Sequence, residues 1–523
     1  MIHRFFRTAA AALVAAVVLP ATPVLAEWKR AESQNFVVYF QSNETELRRY
    51  VRNLEFYDYF LRRQLGFSDG AQPRRKLPIY LVRNLSGLRQ VRDSGPYVRG
   101  TYFPAGEDIF ATAIQTREQD FLLHEYFHHF SFQFGAGAAY PPWLIEGVAE
   151  YYMTAELGDD TVVIGGANED RVSTLFNIEW LPLEDLITKR YNELPDVRKA
   201  SYYPVAWLMT HWFFSTPERR AQLNQYLTAI QSGEPPAAAM ERATGMTLGQ
   251  LRARLADYRT LNRMTYTVPF EDPQITITTL PRSADDLLLL GQRLKVGVTA
   301  EQRAPLAAQI RRLAARHPDD PFAMLQLGHA ELHFGNAEAG EAALTRLLEI
   351  QPDNVEALQY MAARYVQLAE ERPDEQIALL RRAREYLTRA YAVDENAYRT
   401  LELLAQSRQA APNYPSENDL VTWDRAFVLA PQLAAIRLGY SSALMRAGEF
   451  DEAVLKLTPL ANAPHGGPAA EAAQTLLERA RQNLPPLSDA ELEAAAEGSE
   501  APPEPGPGEG EGEGSAPPPQ PAT

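Results

Sequence analysis

Two histidines and a glutamate lie close together in the segment H-E-Y-F-H, which covers residues 124–128. A spacing of four residues places His124 and His128 on one face of a helix, where both imidazoles can bind a single metal ion. Glu125 lies about 100° around that helix from His124, so its carboxylate can reach a water on the metal and act as general base. The flanking residues indicate that this helix is buried, since they include Phe121, Leu122, Leu123, Phe127 and Phe130.

A catalytic metal held by two histidines needs a third protein ligand and keeps a fourth position open for water. The segment P-W-L-I-E-G-V-A-E-Y, over residues 142–151, offers Glu146 and Glu150. These two acids are four residues apart, so both should lie on the same face of a second helix. Periodicity therefore predicts a ligand from this helix without deciding which of the two acids it is.

The pattern H-E-x-x-H followed by W-L-x-E-G-x-A resembles the gluzincin clan of zinc metallopeptidases, whose members include aminopeptidase N and thermolysin. The resemblance implies a thermolysin-like catalytic domain that binds one Zn²⁺ per chain through His124, His128 and Glu146. It also implies that Glu125 is the general base. Glu150 matches the acid that orients a ligand histidine in thermolysin-like relatives, without itself binding the metal.

A second segment, S-Y-Y-P-V-A-W over residues 201–207, resembles the downstream tyrosine segment of the same clan. A tyrosine hydroxyl at this place can stabilise the oxyanion of a tetrahedral intermediate. Tyr203 fits the family pattern better than Tyr202, so the resemblance assigns the catalytic role to Tyr203. Tyr202 remains the alternative.

Three residues near these motifs are given structural roles. Gly147 directly follows the predicted third ligand, and we expect it to let the metal-binding helix pack close. His129 points to a different side of its helix from the predicted ligands, so we do not expect it to bind the metal. His211 is interpreted as a packed histidine beside an aromatic neighbour.

Residues 27–262 are predicted to form an α+β domain with a small early sheet and helices after it. We expect a long helix over residues 44–65 and strands over residues 36–40, 78–82, 98–103 and 108–113. The strand over residues 108–113 could pair with an extended peptide substrate by edge addition.

Residues 263–283 contain three prolines and are predicted to be an extended linker. Residues 284–484 are rich in alanine and leucine and are predicted to be helical. Pro318 and Pro352 begin two similar turns at the 34-residue tetratricopeptide period. We therefore predict an all-α tetratricopeptide solenoid, with a generic helical domain as the alternative. The whole chain resembles bacterial peptidase-MA-like proteins that carry such repeats behind the catalytic domain.

The two ends of the chain have distinct compositions. Residues 1–26 are typical of a signal peptide, with Arg4 and Arg7 before an apolar run and small residues before Glu27. Residues 485–523 are rich in proline, glycine and glutamate, and are predicted to be a disordered acidic tail. The chain has no cysteine, which excludes a lipoprotein anchor and disulfides.

The formal net charge of −16 excludes the basic footprint that binding to nucleic acid requires. We expect an exported protein with no integral membrane segment after signal cleavage. A periplasmic location fits best, with full secretion or a retained signal anchor as alternatives.

These features predict a zinc-dependent peptidase that acts on an exported or envelope protein or peptide. The repeats are expected to bind a protein partner or the substrate. The alternative is a non-catalytic periplasmic adaptor, in which a peptidase-like domain is a relic and the tetratricopeptide repeats act as a scaffold.

Overall fold

A computed structural model of the chain describes residues 27–41, 43–67, 75–95, 98–115, 120–135, 140–463 and 466–487. The protein is α+β, with a small N-terminal sheet and a mostly helical remainder, as the sequence predicted. The predicted signal peptide and nearly all of the predicted acidic tail lie outside the described residues. Within the described ranges, no helix combines the length and the apolar character that crossing a bilayer requires.

The strands of the described residues form two sheets. Their bounds are β1 Lys29–Glu32, β2 Phe36–Phe40, β3 Leu77–Val82, β4 Gly100–Pro104, β5 Ile109–Ile114, β6 Glu156–Leu157, β7 Thr161–Ile164, β8 Met264–Thr267 and β9 Thr276–Thr279. The larger sheet has six strands in the order β4-β5-β3-β2-β1-β9, and the smaller has the order β6-β7-β8. Strands β2, β3 and β5 run parallel to one another, while β1, β4 and β9 pair antiparallel.

The expectation that the strand over residues 108–113 could add an extended peptide at its edge is wrong. Strand β5 pairs with β3 on one side and with β4 on the other, so both of its backbone edges are occupied. The reason is the tight β4–β5 hairpin, which places β4 outside β5 in the sheet. Among the described strands, the edge position on this side belongs to β4.

Helix α1, Glu44–Leu65, packs across the sheet and has the bounds that the sequence predicted. Asn43 caps its first turn by accepting a hydrogen bond from the Glu46 N–H, and Gly66 ends it in the left-handed conformation. Leu47, Val51 and Leu54 recur on its buried face. The helix thus covers the sheet with the apolar stripe that its sequence periodicity indicates.

Ten further α-helices belong to the first part of the chain in the described residues. They are α2 Leu85–Val91, α3 Asp120–Gly135, α4 Pro142–Tyr152, α5 Glu169–Asn177, α6 Leu183–Thr188, α7 Asp196–Lys199, α8 Tyr202–Phe214, α9 Pro217–Gln231, α10 Pro236–Thr244 and α11 Leu248–Ala256. Helix α4 packs between α3 and α8. This three-helix layer carries every residue that the sequence assigned to the metal centre.

The segment predicted as a linker, residues 263–283, is extended but is built into both sheets. Strand β8 pairs with β7 in the small sheet, and β9 pairs with β1 at the edge of the large one. Backbone pairing of this kind is absent from a free linker, because a free linker leaves its N–H and C=O groups to solvent. The first of the following helices therefore begins shortly after a strand of the large sheet.

Eleven α-helices follow in the described residues, and each packs against the next one along the chain. They are α12 Ser283–Val296, α13 Ala300–Ala314, α14 Pro321–Phe334, α15 Ala337–Ile350, α16 Val355–Glu371, α17 Gln376–Val393, α18 Tyr398–Gln406, α19 Glu417–Leu429, α20 Ala434–Ala447, α21 Phe450–Ala461 and α22 Pro468–Arg481. Helices α12, α14, α16 and α18 also contact one another in succession. We call residues 283–481 the helical array.

The helical array contacts the first part of the chain at several points. Gln133 Nε2 of α3 donates a hydrogen bond to Gln432 Oε1 at 3.4 Å, and Gln432 Nε2 donates one to the Tyr102 hydroxyl of β4. The Arg75 guanidinium lies 5.2 Å from the ring centroid of Tyr398. Arg190 donates a hydrogen bond to the Ala461 carbonyl near the end of the array. The array therefore packs against the same α3–β4 region that adjoins the predicted metal ligands.

Candidate metal centre

Helix α3 brings the two histidines of the H-E-x-x-H motif together. His124 and His128 lie one turn apart, and their Nε2 atoms are 3.0 Å from each other. The His124 side chain is buried, whereas His128 is 14% exposed. Both imidazoles thus point their Nε2 atoms at one place, on the side of the helix that solvent can still reach.

Helix α4 supplies a carboxylate to the same place. Glu146 Oε2 lies 3.5 Å from His124 Nε2 and 3.4 Å from His128 Nε2. The Glu146 side chain is 1% exposed. Burying a carboxylate without a charged partner is costly, so this position favours a bound cation or a protonated neighbour.

The spacing of these three atoms fits a zinc site. Zinc–nitrogen and zinc–oxygen distances of about 2.0–2.1 Å imply ligand atoms about 3.3 Å apart in a tetrahedral arrangement. The three separations between these ligand atoms, 3.0, 3.4 and 3.5 Å, lie on either side of that value. Two imidazoles and one carboxylate also suit zinc better than calcium or magnesium, which prefer oxygen ligands.

The packing of α4 depends on Gly147. A Cβ atom at this position would lie 2.7 Å from the Ala206 carbonyl oxygen and would also meet the Thr210 hydroxyl. Both of these neighbours belong to α8, so the close approach that Gly147 permits is between α4 and α8. We expected it to serve the metal-binding helix α3, and that expectation is wrong.

Glu150 lies on the same face of α4 as Glu146, one turn further along. Its Oε1 atom is 3.4 Å from His124 Nδ1, on the ring edge opposite the one that faces Glu146. Arg171 of α5 binds both carboxylate oxygens of Glu150, with its Nε and Nη2 each at 2.8 Å. Glu150 is thus held in place between an arginine and a histidine of the motif.

The charges around His124 alter its titration. Burial would lower the pKa of His124, but the carboxylates of Glu146, Glu150 and Glu125 outweigh burial and raise it above its ordinary value. Arg171 offsets one of these negative charges. A divalent cation bound by the histidines is a suitable counterion for the others.

Glu125, the predicted general base, is buried beside the two histidines. Its charge raises the pKa of His124 and, among smaller causes, that of Tyr102 on β4. Glu125 is not one of the three residues whose ligand atoms converge.

Tyr202 and Tyr203 both begin helix α8 and are both buried. Neither hydroxyl makes a hydrogen bond with another described residue. Burial, followed by the charge of Glu146, raises the pKa of both hydroxyls well above the ordinary tyrosine value, so both remain protonated donors. Of the two tyrosines, only Tyr203 contacts Arg171, the arginine that binds Glu150. The Arg171 guanidinium lies 5.4 Å from the Tyr203 ring centroid.

Two other histidines have different partners. His129 Nδ1 lies 3.0 Å from the Tyr102 hydroxyl, which also accepts a hydrogen bond from Gln432. His211 is buried, with Nδ1 at 2.9 Å from the Tyr258 hydroxyl and Nε2 at 3.1 Å from the Gly165 carbonyl. Neither ring belongs to a group of potential metal ligands in the described part of the chain.

Arg171 is the residue that sequence reasoning missed. It belongs to the short helix α5, which is capped by Asn168 and contains no fully buried residue. Its partner Glu150 lies 21 residues earlier, across a β-hairpin, so no helical or strand periodicity links the two. The only available signal was chemical: a buried acid on α4 requires a cation, and Arg171 is the nearest arginine after it in sequence.

No protein-family model matches this chain, and no curated protein shows significant sequence similarity to it.

Proposed function

We propose that this protein is a zinc-dependent peptidase of the gluzincin type. The observation that supports the proposal is the convergence of His124, His128 and Glu146, with ligand atoms 3.0 to 3.5 Å apart in a largely buried site. A helix bearing H-E-x-x-H, followed by a helix bearing the glutamate, is the arrangement that the resemblance to gluzincins implies. Zinc bound there would supply Lewis acidity toward a scissile carbonyl and lower the pKa of a bound water.

Glu125 is the proposed general base. It directly follows His124 on α3, and its side chain is buried. In this role its carboxylate accepts a proton from the attacking water and passes it to the leaving amine. Replacement of the carboxylate by an amide keeps the size of the side chain but removes its basicity.

Tyr203 is the proposed oxyanion donor, with Tyr202 as the alternative. A donor must be protonated and must lack a competing acceptor in the protein. Both hydroxyls meet these conditions, since both pKa values are raised and neither hydroxyl has a described hydrogen-bond partner. The stacking of Arg171 on the Tyr203 ring favours Tyr203, because it restrains that ring next to the acids of α4.

Residues 283–481 are proposed to be tetratricopeptide-like repeats that bind a partner or present the substrate. Support comes from the successive contacts of neighbouring and alternate helices, which is how repeats bury their apolar faces. Gly328 of α14 packs against the Leu344 side chain of α15, as the small residues of such helix pairs do. The contact of Gln432 with α3 and β4 would bring a molecule bound to the array near the metal centre.

The proposal can be tested by removing and restoring the metal. The full chain, treated with a chelator, should lose the ability to cleave a library of peptides from a digested proteome, and added Zn²⁺ should restore it. The same cycle in His128→Ala should give no cleavage at any stage. Cleavage that survives complete removal of zinc, or no cleavage by the zinc-loaded wild type, would favour the non-catalytic adaptor.

A further inference from the structure

A second convergent group of potential ligands lies between the sheet and the helical array. Glu107 sits in the β4–β5 turn, and His329 and His333 lie one turn apart on α14. His329 Nε2 is 2.7 Å from Glu107 Oε2, and His333 Nε2 is 2.7 Å from Glu107 Oε1. One ligand atom from each residue lies within 4.8 Å of the other two. Two imidazoles and a carboxylate again come together from distant parts of the chain.

The contact between His329 and Glu107 is not an ordinary hydrogen bond. Despite the separation of 2.7 Å, neither Glu107 Oε2 nor either ring nitrogen of His329 forms a hydrogen bond with a described residue. His329 is only 1% exposed, so solvent does not satisfy its nitrogens. A buried imidazole without a hydrogen bond is costly, and a metal ion bound at Nε2 would remove part of that cost.

An ion pair with a permanent cation does not explain the contact either. Among the described residues, the ion-pair contacts of Glu107 are to the two histidines and not to a lysine or arginine. The neighbouring cations have other partners: Lys295 lies 3.2 Å from Asp108 and 2.7 Å from Glu356, and Arg399 lies 2.8 Å from Glu402. The Glu107 carboxylate therefore has no dedicated cation of its own among these side chains.

The orientation of His329 is restrained by Tyr360 of α16. The two rings stack with centroids 4.1 Å apart and planes 16° apart. The Tyr360 hydroxyl donates a hydrogen bond to Glu356, which holds the tyrosine in turn. A histidine ring that is locked in this way keeps its Nε2 directed at Glu107. His333, at 37% exposure, leaves the opposite side open for ions and water to enter.

We propose that Glu107, His329 and His333 form a second site for a divalent transition metal of the zinc class. The site lies apart from the His124 centre and does not depend on the proposed peptidase activity. A metal bound there would link the β4–β5 turn to α14, and so join the first part of the chain to the helical array. Its role would be structural, because binding to the folded state alone stabilises that state.

Cobalt binding to the full chain can test this proposal. In the His128→Ala/Glu146→Ala variant, which lacks the first site, we expect about one equivalent of Co²⁺ and the visible absorption of cobalt bound to imidazole. Adding His329→Ala should abolish that binding. Because this buried change could disturb packing, the exposed His333→Ala is the second variant, and it should weaken cobalt binding without lowering the melting temperature of the metal-free chain.

His317→Ala is the matched control, since His317 is another histidine of the array and lies near a carboxylate, with Nε2 at 3.5 Å from Asp286. It should leave cobalt binding unchanged. The proposal is overturned if the chain without the first site binds no Co²⁺, or if binding persists unchanged in His333→Ala. Both outcomes are independent of whether the His124 centre hydrolyses peptides.

Discussion

Arg171 and Glu150 form a two-point ion pair next to the candidate metal centre, with Nε and Nη2 of the arginine each 2.8 Å from a carboxylate oxygen. The Glu150 side chain is fully buried, and its Oε1 also lies 3.4 Å from His124 Nδ1. Arg171 therefore sets the position of an acid that in turn faces a predicted zinc ligand. A carboxylate in this position can keep the ligand histidine in the correct tautomer and raise its basicity.

Arg171→Ala should weaken zinc binding although Arg171 touches no proposed ligand. Loss of the arginine leaves a buried carboxylate without its cation, which typically costs about 3–5 kcal/mol of folding stability. We expect zinc affinity or activity to fall about 10–100-fold, as for other changes outside the ligand set. Competition with a zinc chelator and thermal unfolding would measure both effects. Arg198→Ala, which breaks a more exposed pair with Asp185, is the control, and equal effects in both variants would contradict the account.

Replacing Glu146 by alanine should reduce zinc binding and activity more severely than replacing Glu150. Glu146→Ala removes a proposed ligand and should abolish zinc binding at the His124 centre together with activity. Glu150→Ala should retain zinc at saturating concentration, with an affinity about 10–100-fold lower. Zinc titration of both metal-free variants distinguishes the roles. Normal binding at the His124 centre by Glu146→Ala, with none at that centre by Glu150→Ala, would show that the two assignments are reversed.

Gly147→Ala should disturb the centre through packing alone. Its Cβ would be 2.7 Å from the Ala206 carbonyl, so α4 and α8 would have to separate. We expect a loss of about 1–3 kcal/mol in the free energy of unfolding, as for other overpacked sites, and weaker zinc binding because Glu146 moves with α4. Gly249→Ala is the matched control, since its Cβ meets nothing nearer than 3.9 Å. A variant at position 147 as stable as the one at 249 would rule out the tight contact.

His211 should make the fold less stable in mild acid. Burial lowers its pKa, so the folded state binds fewer protons at this ring than the unfolded state, whose pKa is about 6.5. Stability therefore falls as the pH drops below about 6.5 and toward the folded pKa. Urea unfolding of the wild type and His211→Gln at pH 5 and pH 8 should show a smaller acid-induced loss in the variant. An identical pH dependence of both proteins would contradict this role.

The sequence predicted those elements whose signals are local. Helix α1 has the predicted bounds because Asn43 and Gly66 act as its caps and its apolar stripe is continuous. The convergence of His124 and His128 followed from helical periodicity within five residues. The position of β5 inside the sheet did not follow, because strand order depends on long-range pairing that no local pattern records.

Relationships across the fold were also inaccessible from the sequence. Glu107 and His333 are 226 positions apart, and only the packing of the helical array against the sheet brings them to 2.7 Å. The predicted linker had the expected extended character, but its pairing with β1 and β7 depends on partners a hundred or more residues away. Residues that act through tertiary contacts, such as Arg171, therefore emerged only from the structure.

The central claim is that the His124 centre hydrolyses peptide bonds with Glu125 as general base. The most direct measurement compares zinc-loaded wild type with zinc-loaded Glu125→Gln on the same peptide library, using mass spectrometry to count new termini. We predict cleavage products from the wild type and at least about a hundredfold fewer from the variant, at equal zinc content, because general base catalysis contributes about 10²–10⁴-fold. Equal product formation by the two proteins would contradict the claim.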